Sequence, residues 1–162
     1  MLIGIHPALT PDLLRHLRAM GHGDEIVIAD ANFPAEACSR RIERLAGVTA
    51  TEALSAILAI MPLDSYVDAP ARTMQVVGDR DAVPDIVAEF QQIIDATADN
   101  PAKLQAVERS AFYEEAKLAY CIVQTAETRL YGNIILSKGI VPPKIAGDTP
   151  SAIAAGPEPE SP

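Results

Sequence analysis

The sequence contains no tryptophan, and all aromatic residues together make up only 4% of its 162 residues. Its core must therefore be aliphatic, built from the Ile, Leu, Val and Ala residues that dominate the 49% hydrophobic share. That share is normal for a globular protein, and this length favours one domain with a real core.

Basic residues are also scarce: the chain has 13 Lys and Arg residues and 22 Asp and Glu residues, which gives a net charge of −9. Nucleic acid binding needs clustered basic side chains, so no nucleic acid partner is expected. The acidity also argues against docking to an anionic membrane surface. No apolar run approaches the roughly 20 residues of a membrane-spanning helix, and the longest candidate covers residues 53–61.

Cys38 and Cys121 are the only cysteines, and they form no CxxC pair. With no secretory signal before the first predicted helix, this predicts a reducing cytoplasm. The sequence also lacks an HExxH zinc motif, a P-loop and a GxSxG nucleophile elbow. Gly21-His22-Gly23 is not a phosphate-binding loop, since it follows a helix and precedes a strand. We therefore expect neither a metal nor a cofactor.

The composition changes near the end of the chain, where proline recurs among Gly, Ala, Ser and Glu from Pro142 onward. Such a segment buries too little apolar surface to order itself. We predict a domain over residues 1–141 and a proline-rich, disordered tail over residues 142–162.

Alternating helical and strand patterns predict a single α/β domain with a largely parallel sheet flanked by helices. Thr10-Pro11-Asp12 begins a helix, and Gly21 fits a left-handed cap at its end. Thr49-Ala50-Thr51-Glu52 is a capping box for a helix through about Met61. We predict further helices at 83–97 and 111–119, and strands at 25–29, 73–77, 104–108, 120–124 and 133–136.

His22 is the first candidate for chemistry. Its two flanking glycines let backbone approach closely and leave the imidazole uncrowded. A histidine titrates near neutral pH and can both donate and accept a proton. The alternative interpretation is a surface histidine just past a helix end.

Two further segments suit a polyhydroxylated ligand. Asp30 ends an apolar strand, where ligands gather in open α/β sheets, although an ordinary Asx turn before Phe33-Pro34 is the alternative. Tyr131-Gly132-Asn133 opens a strand with a phenol and a carboxamide, or is simply a turn of the usual composition. Asp64 and Arg109 are candidates for the site, and the alternative is that each is an ordinary surface residue. Tyr113 is a further candidate, and the alternative is that its ring only packs against other residues.

Taken in order, these segments resemble the family of L-fucose mutarotase and D-ribose pyranase over about residues 1–141. The segments that carry the resemblance are Leu2-Ile3 with Pro11 and Leu13-Leu14, Met20-Gly21-His22-Gly23-Asp24-Glu25, Asp30-Ala31-Asn32-Phe33-Pro34, Leu63-Asp64-Ser65-Tyr66, Arg109-Ser110-Ala111-Phe112-Tyr113-Glu114, and Tyr131 through Gly139. Each motif is weak alone, but the ordered set is specific.

The resemblance implies an α/β fold, a ring-like homo-oligomer (octamer or decamer) with sites between subunits, and interconversion of sugar anomers without a cofactor. It assigns the role of proton donor to His22. It assigns contacts with the sugar to seven further residues: Asp30, Arg109, Tyr131, Gly132, Asn133, Asp64 and Tyr113.

Arg109 matches the fucose branch of the family, so the resemblance favours L-fucose as substrate. Ser110 departs from the usual aromatic residue beside that arginine, which affects the shape of the pocket. D-ribose pyranase activity and a non-catalytic, monosaccharide-binding role in sugar transport are the alternatives. A purely structural oligomer is a third.

Overall fold

The computed structural model describes residues 2–143, and the strands among them form one six-stranded sheet in the order β2-β5-β1-β6-β3-β4. Along the chain the elements are α1 (Pro11–Ala19), β1 (Glu25–Ala29), α2 (Ala35–Cys38), β2 (Ile42–Leu45), α3 (Ala50–Leu58), β3 (Ala71–Met74), α4 (Asp85–Thr97), β4 (Gln105–Val107), α5 (Arg109–Leu118), β5 (Cys121–Thr125) and β6 (Ile134–Ser137).

Five strands of the sheet run in one direction and β6 runs in the other. β1 and β2 are parallel to β5, and β3 is parallel to β4. β6 lies between β1 and β3 and is antiparallel to both. The largely parallel α/β fold predicted from the sequence is therefore confirmed.

The sheet is buried on both faces, because alternate side chains of β1 enter two different cores. Ile26 and Ile28 pack with residues of α1, α3 and α4. Val27 and Ala29 pack on the opposite face, with residues of α2 and α5. The continuous apolar run of β1 thus reflects burial on two sides, as is usual for strands covered by helices.

Helix starts follow the capping signals of the sequence. The Thr10 hydroxyl accepts a hydrogen bond from the Leu13 amide at 3.1 Å, and Pro11 occupies the first turn of α1. The Thr49 hydroxyl accepts one from the Glu52 amide at 3.2 Å at the start of α3. Each cap satisfies a backbone donor that has no partner within its helix.

Several local predictions were wrong. Gly21 is not left-handed; the positive φ in this turn belongs to Gly23, at 81°. α3 ends at Leu58 rather than near Met61, and β3 begins at Ala71 rather than Thr73. The short elements α2 and β2 were not predicted. α2 has four residues and no side-chain cap, and β2 (IERL) is a partly exposed edge strand without an apolar alternation.

The end of the domain was predicted at residue 141, and Pro142 and Pro143 lie in no helix or strand. The remainder of the predicted tail, residues 144–162, lies outside the described residues. Within residues 2–143, the helices are all too short or too polar to cross a membrane.

Candidate functional site

Asp30 and Asn133 meet at one end of the sheet because β6 runs antiparallel to β1. Asp30 directly follows β1, and Asn133 directly precedes β6. The Asn133 carboxamide oxygen accepts a hydrogen bond from the Asp30 amide at 2.9 Å, and its nitrogen donates to Asp30 Oδ2 at 2.6 Å. Both residues are buried. The pair fixes two polar side chains at the point where ligands bind in open α/β sheets.

The Asp30 carboxylate retains capacity for a ligand. Its Oδ1 accepts a hydrogen bond from the Asn32 amide at 2.9 Å, and Oδ2 accepts the one from Asn133. Each carboxylate oxygen has a second lone-pair site, so each can also accept a hydrogen bond from a sugar hydroxyl. The arrangement suits Asp30 to bind hydroxyl groups.

Tyr131 has a left-handed backbone, with φ of 63°, which is unfavourable for a residue with a side chain. Its phenol oxygen accepts a hydrogen bond from the Val77 amide at 3.1 Å. The phenol proton remains able to donate to a ligand. Gly132 is required next to it, because a Cβ there would lie 2.8 Å from Glu127 Cγ.

These residues surround a cavity of about 200 Å³, which we call the Asp30 pocket. This volume lies below the roughly 300–1,000 Å³ typical of sites for drug-sized ligands, so the pocket suits a small ligand. Its lining comprises Asp30, Asn32, Phe33, Met74, Val77, Arg109, Tyr113, Leu130, Tyr131 and Asn133. A polar floor with apolar walls is what a single sugar ring, which has both hydroxyls and C–H faces, requires.

Arg109 and Tyr113 form one wall of the Asp30 pocket from the first turns of α5. The Arg109 guanidinium lies 5.8 Å from the centre of the Tyr113 ring, within range of a cation–π contact. The Tyr113 ring packs against Phe33 with 5.5 Å between ring centroids. Arg109 is exposed, so its donors are open to a ligand.

A larger cavity of about 400 Å³ lies elsewhere, between α4 and the edge strand β4. Its lining is mainly apolar and includes Val87 and Leu104. None of the predicted site residues lines it. Volume alone therefore does not identify the functional site, and the convergence of polar groups is the better guide.

His22 lies at the opposite end of β1, with Asp64 and Tyr66 beside it; we call these three residues the histidine site. His22 Nε2 and Asp64 Oδ1 are 3.2 Å apart. Since a carboxylate can only accept, Nε2–H donates and the other ring nitrogen, Nδ1, is left for proton transfer. The His22 and Tyr66 rings make an edge contact with 5.4 Å between centroids.

Asp64 is held rigidly although it lies on a loop. Its amide donates to the Ser137 carbonyl at 3.0 Å, and its Oδ1 also accepts a hydrogen bond from the Tyr66 amide at 2.9 Å. Gly139 allows this close approach, because a Cβ there would lie 2.8 Å from the Leu63 carbonyl oxygen. The buried Asp64 is therefore placed to orient the His22 ring.

The two groups of residues are separated by the length of β1. Five residues at about 3.3 Å each place roughly 16 Å between the ends of that strand. Six predicted residues come together in or under the Asp30 pocket: Asp30, Arg109, Tyr113, Tyr131, Gly132 and Asn133. His22 and Asp64 lie together at the other end of the sheet.

Sequence reasoning missed several residues of the Asp30 pocket. Asn32 and Phe33 belong to a motif that carries the family resemblance, so their proximity to Asp30 was a usable signal. Met74, Val77 and Leu130 reach the pocket through strand order and loop packing, and no local pattern marks them. Among residues 2–143, no group of three or more His, Cys, Asp and Glu side chains is placed to hold a metal ion.

An open α/β sheet with a small pocket at the strand ends, where several polar groups converge among apolar side chains, is the arrangement typical of an α/β protein with a small-ligand site. Residues 3–141 match the model of the RbsD / FucU transport protein family. The chain belongs to that family, which confirms the relationship predicted from the motifs.

Known relatives cover nearly the whole described chain. The L-fucose mutarotase of Histophilus somni (strain 2336) is 44% identical over 144 residues, 89% of this chain and 100% of that protein. The solved structure of the fucose mutarotase from Streptococcus pneumoniae, in complex with L-fucose, is 46% identical. It superposes with a TM-score of 0.81, covering 86% of this chain and 99% of that one.

A more distant structure shares the fold. Bacillus subtilis RbsD complexed with D-ribose is 19% identical, with a TM-score of 0.65 over 84% of this chain and 97% of that chain. At this identity the likeness concerns the fold alone.

Proposed function

We propose that this chain is an isomerase that interconverts the α and β anomers of a monosaccharide, with L-fucose as the favoured substrate. Relatives more than 40% identical bear the name L-fucose mutarotase, and one of them was solved with L-fucose bound. The small Asp30 pocket, which combines polar groups with apolar side chains, is of a size and chemistry suited to one sugar ring. The relatives' names accord with the activity predicted from the sequence.

The reaction requires only proton transfer. Opening the cyclic hemiacetal removes the proton of the anomeric hydroxyl and protonates the ring oxygen; closure on the other face reverses both steps. An acid and a base that titrate near neutral pH are sufficient. In our proposal His22 transfers a proton to or from the ring region through Nδ1, while Asp64 holds its orientation.

The Asp30 pocket supplies the binding half of the proposed site. Asp30, Asn133 and Arg109 hold the sugar hydroxyls, and Tyr131 donates its phenol proton. Tyr113 offers a ring face to the C–H groups of the sugar. Fixing the sugar against these groups contributes much of the acceleration, since the uncatalysed reaction already proceeds in water.

The observation that carries the placement of this site between subunits is that one chain separates His22 from the Asp30 pocket by the length of β1. A site that uses both must combine the histidine site of one subunit with the Asp30 pocket of another. Different surfaces at opposite ends of the sheet meet in a heterologous contact, which forms a ring where the rotation between subunits closes, and we propose such a ring here. A homo-oligomer such as the octamer or decamer predicted from the sequence has this property.

Exposed apolar side chains support this contact, because they border both halves. Tyr66 and Val67 are 70% and 45% exposed beside His22, and Val77 and Leu130 are 66% and 69% exposed beside the Asp30 pocket. Exposed apolar residues grouped around polar sites are characteristic of interaction surfaces.

Both buried cysteines are free thiols, which supports the predicted cytoplasmic location.

The activity is tested by saturation-transfer NMR of anomer exchange with L-fucose and with D-ribose. We expect acceleration of L-fucose exchange. Faster exchange of D-ribose alone would favour the pyranase alternative. Saturable binding without acceleration of either sugar would favour a non-catalytic sugar-binding protein, the role that the transport description of the family suggests.

The shared site is tested by mixing two inactive variants. His22→Ala retains an intact Asp30 pocket, and Arg109→Ala retains an intact histidine site. If subunits exchange after mild dissociation, about a quarter of the sites in a 1:1 mixture combine the two intact halves, since pairing is random in a symmetric ring. Recovery of exchange activity supports sites between subunits. A mixture that assembles but stays inactive contradicts them.

A further inference from the structure

The turn that carries Tyr131 and Asn133 rests on an ion pair between the buried Glu127 and the partly exposed Arg129, and neither residue lines the Asp30 pocket. The Glu127 side chain is only 4% exposed, and its Oε2 accepts a hydrogen bond from the Arg129 guanidinium at 2.9 Å. Glu127 Oε1 accepts two more, from Arg129 Nε at 2.9 Å and from the Arg129 amide at 3.0 Å. This bidentate arrangement fixes the position of both side chains.

Glu127 touches the turn directly. Gly132 packs so closely on it that a Cβ would lie 2.8 Å from Glu127 Cγ, and Ile86 blocks the same space from α4 at 3.0 Å. Gly132 lies between Tyr131 and Asn133, so a contact that fixes the position of its backbone also fixes the positions of these two neighbours. Tyr131 is the only described residue other than glycine with a positive φ. Such a conformation persists only where surrounding contacts enforce it.

The backbone of Glu127 also holds the other side of the pocket. Its carbonyl accepts a hydrogen bond from the Ala31 amide at 2.8 Å, immediately after Asp30. Its amide donates to the Thr125 hydroxyl at 3.2 Å, and that hydroxyl donates to the Ala29 carbonyl at 2.8 Å. One residue thus connects the end of β1 with the turn that precedes β6.

We infer that Glu127, locked by Arg129, is a positioning residue that holds Tyr131 in its left-handed conformation and so sets the geometry of the sugar-binding pocket. Glu127 acts through Gly132 and Tyr131, since it lies beneath the pocket and is absent from its lining. The hydrogen bonds from Arg129 hold the pKa of Glu127 below its ordinary value, so the carboxylate stays ionised and keeps both acceptors at neutral pH.

The kinetic test rests on the proposed function and uses the intact oligomer. Glu127→Gln has the same shape, but its amide nitrogen cannot accept from Arg129. We expect kcat/KM for L-fucose exchange to fall about tenfold, as a small misplacement of binding groups would cause. Glu89→Gln is the matched control, because Glu89 Oε1 also accepts a hydrogen bond from Arg129 Nη1, at 2.8 Å, but Glu89 does not contact Gly132. The kcat/KM of this variant should stay within about twofold of wild type.

A double-variant cycle separates positioning from general destabilisation. Glycine adopts the left-handed conformation freely, so Tyr131→Gly removes the need for Glu127. We expect Glu127→Gln to cause a markedly smaller further loss of kcat/KM in the Tyr131→Gly background than in wild type, since only its effect through Asn133 remains. Independent, multiplying losses would overturn the inference, and so would a folded Glu127→Gln variant with wild-type kcat/KM. If Glu127→Gln does not assemble, Arg129→Lys, which loses the bidentate fork, serves in its place.

A measurement without sugar distinguishes failure of this inference from failure of the proposed function. Amide hydrogen exchange of the peptide covering residues 128–133 should be faster in Glu127→Gln than in wild type, and unchanged in Glu89→Gln. If wild type does not accelerate L-fucose exchange, the proposed function fails and this comparison still decides the role of Glu127. Unchanged exchange in Glu127→Gln would overturn it.

Discussion

The two ends of the sheet carry polar clusters of opposite character. At one end, Asp30 and Asn133 are 5% and 4% exposed and are joined by backbone and side-chain hydrogen bonds. At the other, the His22 side chain is 45% exposed and makes one side-chain hydrogen bond, to Asp64. In the proposed function, the sugar-binding residues are therefore part of the fold, whereas the proposed proton-transfer residue lies on a loop open to a second subunit.

This difference separates stability from activity. A side chain whose hydrogen bonds join two strands contributes to both, because its removal leaves buried partners unsatisfied. His22 is half-exposed, and its buried partner Asp64 keeps the hydrogen bond from the Tyr66 amide, so removal of His22 should affect activity far more than stability. Substitutions at the Asp30 end should consequently lower both stability and activity, whereas substitutions of His22 should lower mainly activity.

The largest effect is expected at the histidine site. His22→Ala should lower the catalysed rate of L-fucose exchange about 10²- to 10⁴-fold, the usual contribution of a positioned acid or base. Its thermal midpoint should remain that of wild type. Exchange NMR and thermal unfolding measure the two quantities, and His6→Ala, at another exposed histidine, is the control. A large loss of stability in His22→Ala would contradict the contrast between the two ends.

At the Asp30 pocket, both quantities should change. Asn133→Ala leaves the Asp30 amide and carboxylate without a buried partner, which costs about 1–3 kcal/mol of unfolding free energy. L-fucose binding should be lost as well. Denaturant unfolding and sugar titration check these outcomes. Asn32→Ala, on the exposed side of the same pocket, should leave stability unchanged, and equal stability of both variants would refute the structural role of Asn133.

A smaller effect is expected where the histidine is oriented. Asp64→Asn keeps the shape of the side chain and an oxygen that can accept from the Tyr66 amide. Its carboxamide also has a donor NH₂ group, so it does not hold the Nε2–H form of His22 as a carboxylate does. We expect the exchange rate to fall roughly tenfold, with little change in KM, because orientation and not sugar binding is lost. A rise in KM at constant kcat would instead place Asp64 among the sugar-binding groups.

The smallest effect concerns pH. The pKa of Glu127 is lowered in the folded protein by hydrogen bonds from Arg129, so its stabilisation is present above the unfolded value of 4.5. That contribution is lost as pH falls through the folded value. The difference in thermal midpoint between wild type and Glu127→Gln should therefore stay constant from neutral pH down to about 4.5, and it should shrink as the pH falls further. A difference independent of pH would show that the charge of Glu127 contributes nothing.

The sequence was most informative where local chemistry decides structure. Thr10 and Thr49 marked helix starts because a hydroxyl before a helix satisfies free amides. Ile26, Val27, Ile28 and Ala29, the four apolar residues after the His22 turn, marked β1 because a short apolar run next to a turn is typical of a buried strand. The four residues of β2 and of α2 were invisible, since neither carries a cap or a clear periodicity.

The candidate site was predicted in its parts and not in its arrangement. Asp30 was expected at the carboxyl end of a strand, and Asn133 at the start of another, which in a fully parallel sheet would lie at opposite edges. The reversal of β6 brings them together, and residue periodicity does not encode strand direction. The distance between His22 and Asp30 could be expected only from the predicted strand that lies between them in the sequence.

The central position of β6 also has a consequence for the order of folding. β6 is the strand that joins β2, β5 and β1 to β3 and β4, yet it is the last to be synthesised of the strands within residues 2–143. Until residues 134–137 leave the ribosome, the nascent sheet consists of two halves with no hydrogen bonds between them. Pairing β6 with β1 closes a loop of more than a hundred residues, a slow, long-range step. Completion of the sheet and formation of the Asp30–Asn133 pair should thus coincide.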